Sequence, residues 1–107
     1  MVKNLKHDVT NIMEKFCDAG MFSSSGAGIS LCYVLNLRQA EQNDIKLNKS
    51  QLIDTAPVRL GSLTSKRAAL EKLISRGALR SEVGIKKSER HIFLTEFARK
   101  LLLLGNN

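Results

Sequence analysis

The sequence predicts a mainly α-helical domain with one small β-hairpin, an α+β fold. Three observations predict it. Apolar residues recur at helical spacing in "LKHDVTNIMEKF" and again in "LTSKRAALEKLI". The period changes in "ALRSEV" and "RHIFLT", two short strand candidates on either side of the polar, Gly-containing loop "GIKKSE". Residues able to cap helices, among them Asn48, Ser62, Thr64 and Thr95, stand where the periodic runs begin.

Each element follows in chain order. Leu5, Val9, Ile12, Met13 and Phe16 share one helical face, so residues 5–17 form a first helix that stops at Gly20. "SSSGAG", 23–28, is a flexible connector; it lacks the preceding strand and following Gly-Lys-Ser/Thr of a phosphate-cradling turn. A second helix runs from about Ile29 to Gln42 and buries Leu31, Val34 and Leu35. Ile45 to Leu47 form a short extended piece. Asn48 then caps a third helix, "KSQLIDTA", with Leu52 and Ile53 inward. Pro57 ends it and makes "PVRLGS" a turn. The fourth helix spans about Leu63 to Arg76, closed by Gly77 as a left-handed C-cap. After the hairpin, Thr95 caps a last helix with Glu96 in its favoured first turn.

At 107 residues the chain is one domain: an N-terminal helix in 1–20, a core in 29–95 and a C-terminal helix in 96–105. No apolar run approaches the roughly 20 residues of a membrane span, and the charged start has no signal-peptide core. Cys17 and Cys32 are too few for a disulfide scaffold. The expected compartment is reducing and cytoplasmic, with the two thiols buried in the core and a redox pair as the alternative.

Charge is distributed unevenly. Residues 1–58 hold six basic and six acidic groups, whereas residues 59–107 hold eleven basic against four acidic, the entire net charge of +7. A one-sided excess points to a polyanionic partner. It falls on the fourth helix, whose early Lys66 and Arg67 meet the partial positive charge of a helix amino end, a cost of roughly 0.3–1 kcal/mol each in the free protein.

Two helices, a short strand, a helix, a turn, a helix, a hairpin and a final helix make the winged helix-turn-helix arrangement, with the turn ahead of a recognition helix and the hairpin as wing. Residues 29–104 resemble the core of the MarR family (multiple-antibiotic-resistance regulators) and related short bacterial, phage and plasmid regulators. The resemblance rests on "ALRSEV…SERHIFLTEFARKLL", similar to the family's strand, wing, Arg-containing strand and Leu-Thr-x-x-Gly helix start. It rests also on "LEKLISRGAL", similar to its Leu-x-x-x-Gly-Leu close of the recognition helix. Two residues depart from the pattern: Ala98 stands where Gly is usual, and Lys66 where an apolar residue is usual.

The expected function is sequence-specific binding of double-stranded DNA by a dimeric transcriptional regulator, a repressor rather than an activator. Thr64, Ser65, Lys66 and Arg67 would enter the major groove, with Arg67 able to bind guanine through two hydrogen bonds. Lys86, Lys87 and Arg90 would place the wing on the backbone or minor groove, and Lys49 and Ser62 would meet phosphates. Glu71 is either an acceptor for cytosine or an i, i+4 partner of Arg67 or Ser75.

No nucleophile–base set is recognisable, so no catalysis is expected. His7 and His91 lack companions at ligand spacing, so no metal or other cofactor is expected. "LLLL", 101–104, covers every side of a helical turn, which predicts a homodimer through the first and last helices. Two alternatives are a plasmid or phage partition or replication factor of the same fold, and a winged helix that binds protein.

Overall fold

The computed structural model describes residues 5–23, 26–84 and 90–105. Five α-helices accompany a three-stranded antiparallel sheet: α1 (Leu5–Asp18), α2 (Ala27–Gln42), β1 (Leu47–Asn48), α3 (Lys49–Asp54), α4 (Leu63–Ser75), β2 (Leu79–Val83), β3 (Arg90–Leu94) and α5 (Glu96–Gly105), with a 3₁₀ turn at Val58–Leu60. The α+β class expected from the sequence is what the chain adopts. No described helix is long and apolar enough to cross a membrane.

Local chemistry sets the element ends. Asn48 accepts from the Gln51 N–H at 2.8 Å while the Gln51 side chain accepts from the Asn48 N–H at 2.9 Å, a complete capping box that starts α3. Ser62, rather than Thr64, caps α4 by accepting from the Ser65 N–H. That helix ends in a Schellman turn: Gly77 takes φ +84°, its N–H bonds the Ile74 carbonyl, and the Ala78 N–H bonds the Leu73 carbonyl. Thr95 accepts from the Ala98 N–H to cap α5, and its hydroxyl also donates to the Gly77 carbonyl at 2.6 Å. The cap of the last helix is thereby joined to the close of the fourth.

The hairpin partners pair as Leu79 with Leu94 through Val83 with Arg90, and β1 adds to the far side of β3 through Leu47–Ile92 and Asn48–His91. The extended piece expected at 45–47 is therefore a strand at 47–48, and Ile45 stays half exposed. Leu79, Ile92 and Leu94 point into the core, where they meet Tyr33, Val34 and Leu37 of α2, Leu52 of α3, and Leu70 and Leu73 of α4.

Helices α1 and α5 pack on each other within the chain. Ile12 and Phe16 enter the core, with Phe16 stacked on Phe22 at 4.8 Å, while Val9 remains at the surface. The leucine block divides: Leu101 and Leu102 fill the molecule's own core, and Leu103 is 66% exposed. Ala98, where the related pattern has Gly, is fully buried in the same core.

Candidate nucleic-acid interface

The fourth helix turns one face inward and leaves the other free. Lys66, Ala69, Leu70 and Leu73 form the buried stripe; Thr64, Ser65, Arg67, Ala68, Glu71, Lys72 and Ser75 are exposed. The helix runs beside α3, and the two form a groove of about 590 Å³ lined by Lys49, Ser50, Leu63, Arg67, Leu70 and Glu71.

Lys66 corrects the expectation drawn from its charge. It is 8% exposed, and its Nζ donates to the Ala56 carbonyl at 3.0 Å, just beyond the end of α3. The carbonyl end of a helix attracts cations, so the group disfavoured at the start of α4 is satisfied at the end of α3. The Tyr33 hydroxyl donates to the Lys66 carbonyl at 3.0 Å. Lys66 thus ties α2, α3 and α4 together and has no reach to a ligand outside. A signal was present in the sequence: Lys66 lies four residues before Leu70 and seven before Leu73, on the apolar stripe, where the related pattern has an apolar residue.

The other expected residues separate. Thr64, Ser65 and Arg67 lie together on the exposed first turns of α4. Arg67 makes no ion pair or hydrogen bond with any described residue. Ser62 is at the same end, but its hydroxyl is engaged with Ser65 as the cap. Lys49 is held by Glu71 at 2.6 Å across the α3–α4 groove. Glu71 therefore pairs with neither Arg67 nor Ser75 within α4; its partner comes from the neighbouring helix. Arg90 is exposed at the start of β3, opposite Val83. Lys86 and Lys87 lie outside the described residues.

Sequence reasoning passed over Lys72 and Arg76, which continue the exposed basic face of α4. Their i, i+4 spacing was the available signal. Arg80 lies over the Phe93 ring at 4.9 Å and pairs with Glu82, so this β2 cation is engaged on the sheet.

The titratable groups behind α4 respond to burial. The fully buried Tyr33 hydroxyl is pushed up to about 12 by desolvation, with a further rise from Cys32 beside it. Burial also raises the Cys32 thiol, against the opposing effects of the Asn36 amide that donates to its sulfur and of Lys66. Cys32 is half buried as expected in part, but Cys17 is exposed rather than a core thiol. Among the described residues no group of His, Cys, Asp and Glu is placed to hold a metal ion.

The chain matches no protein-family model, no curated protein and no solved structure.

Proposed function

We propose that the chain is a winged helix-turn-helix protein of MarR-like architecture that binds double-stranded DNA and acts as a transcriptional regulator, with α4 in the major groove and the β2–β3 hairpin as wing. The observation that carries this reading is the exposed end of α4, where Thr64, Ser65 and Arg67 stand together and Arg67 has no partner among the described residues. The strand order β1-β3-β2, with α3 and α4 between the first two strands in sequence, supports the architecture. Arg67 is the base-reading candidate, since arginine can bind guanine in two-point fashion. Lys49 would contribute only after leaving Glu71. Lys66 has no role at this surface.

The same reading makes the protein a twofold dimer through α1 and α5. Its support is the apolar surface left on those helices at Val9, Phe97 and Leu103, which are 37%, 49% and 66% exposed. Two recognition helices would then lie about one DNA turn, roughly 34 Å, apart on a palindromic site.

The test is selection from a random duplex library, followed by affinity measurements at several salt concentrations. The reading expects a palindromic motif and a linear fall of log K with log salt, at about 0.9 per phosphate contacted. Arg67→Ala should weaken binding by roughly 1–3 kcal/mol at a base-contacting site, or lower the salt slope by about one if it holds a phosphate. Absence of duplex binding at low salt would remove the proposal and favour the protein-binding alternative.

A further inference from the structure

On the other flank of α4, against the start of α2, lies a cavity of about 200 Å³. Lys72 and Arg76, one turn apart, line it together with the hydroxyl-bearing Ser30 and Ser65, and no carboxylate is among the described residues on its wall. Arg76 is fixed there: its Nη1 donates to the Ser23 Oγ at 3.0 Å and to the Met21 carbonyl at 3.4 Å.

Two independent features mark the cavity as built for an anion. The first is the start of α2, which opens on Gly26 in the left-handed region with no side-chain cap. The N–H groups of its first turn have no intrahelical acceptor, and they carry the positive end of a 16-residue helix. The second is Ser30, which is 6% exposed, lines the cavity and has no side-chain hydrogen bond to any described residue. Buried hydroxyls are as a rule hydrogen-bonded. A cavity bordered by two cations, a buried hydroxyl in want of a partner and uncapped helix N–H groups offers many donors and no anionic acceptor.

Size narrows the ligand. Drug-sized molecules occupy roughly 300–1,000 Å³, more than this cavity offers. At roughly 30 Å³ per water, it has room for a compact oxyanion with a few waters. A tetrahedral group with several oxygens uses donors arriving from different elements.

We propose that this cavity is a phosphate-binding site, with Lys72 and Arg76 supplying charge, Ser30 and Ser65 supplying hydroxyl donors and the start of α2 supplying backbone N–H groups. The chemistry is common to a free phosphate and to a backbone phosphate of a duplex seated on α4. The site itself does not depend on the DNA reading.

The experiment titrates inorganic phosphate into the full chain against chloride at constant ionic strength, while backbone amide resonances are followed. Saturable shifts are expected at Ala27, Gly28, Ile29 and Ser30. Lys72→Gln should weaken phosphate binding by roughly tenfold or more, as expected for loss of a charge-assisted contact. Ser30→Ala should weaken it several-fold while the melting temperature holds or rises, a combination that a purely structural serine would not give. A second arm measures duplex affinity in chloride. If Lys72→Gln also weakens the duplex and lowers its salt slope by about one, the resident group is a DNA phosphate. If duplex affinity is unchanged, or the protein binds no duplex at all, while phosphate binding depends on Lys72, the ligand is a free phosphate. In the no-duplex case the DNA reading falls and the site stands. The inference is overturned if neither phosphate nor duplex saturably shifts these amides, or if phosphate binds the wild type and Lys72→Gln equally.

Discussion

Lys66 and Arg67 are neighbours on α4 with the same formal charge, yet the fold puts them to opposite uses. Lys66 belongs to the stripe of Leu70 and Leu73 and ends on the Ala56 carbonyl; Arg67, one residue and about 100° further round the helix, faces outward with no described partner. The inner face of α4 resolves its cation internally and holds three helices in register. The outer face leaves its cations for something else. Local charge density alone therefore does not identify a binding surface: the phase of the helix decides which charges are available.

The largest expected effect breaks or sustains that contrast directly. Lys66→Ala removes the buried stem and leaves the Ala56 carbonyl short of a donor, so chemical denaturation should show a loss of about 2–3 kcal/mol. Arg67→Ala should stay within about 0.5 kcal/mol, as exposed substitutions usually do. Equal losses in the two variants would erase the distinction between the faces.

Function supplies the converse. Arg67→Ala should cost roughly 1–3 kcal/mol in duplex affinity where the side chain reads a base. Lys66→Met, chosen to keep the stem volume, should leave the affinity of the folded protein nearly unchanged. An anisotropy titration of both variants checks this, and a larger loss in the Lys66 variant would move the reading surface elsewhere.

Tyr33 sharpens the inner side of the comparison. Its Tyr33→Phe variant loses the bond to the Lys66 carbonyl, about 1 kcal/mol for an ordinary hydrogen bond. Because folding raises this hydroxyl from about 10 to about 12, the protonated form favours the native state. The contribution is complete below pH ~10 and is lost as pH climbs toward 12. Tyr33 is the sole tyrosine, so phenolate absorbance reports it alone. Ionisation at an ordinary pH in a still-folded protein would contradict the packing. The smallest effect concerns thiols: Cys17, being exposed, should react with an alkylating reagent before Cys32, which is half buried with its thiol raised by burial. Peptide mapping after brief labelling gives the order.

What the sequence disclosed was local. Asn48, Thr95 and Gly77 act through residues within four positions of themselves, so their chemistry can be read along the chain. The pairing of Leu47 with Ile92 joins residues 45 apart in the chain, and no turn residue sets its register. The candidate site was legible in the same proportion. The spacing of Thr64, Ser65 and Arg67 placed them on a common exposed end. The acceptor for Lys66 at Ala56 and the pairing of Lys49 with Glu71 depend on how α3 and α4 meet. Lys72 and Arg76 were visible as cations, but the wall they face is made by the start of α2, far away in sequence.

Glu41 has a consequence of a different kind. The β1 partnership along β3 ends at Ile92, and two residues further on the Leu94 N–H donates to the Glu41 carboxylate, which also grips Arg99 through both its oxygens. An open strand edge is a template on which a foreign chain can add and start self-assembly. Here a side chain already fills the hydrogen-bonding position, and the Arg99 clamp keeps it there. The short third strand is thus extended, in effect, by a carboxylate stopper that helps keep the sheet finite.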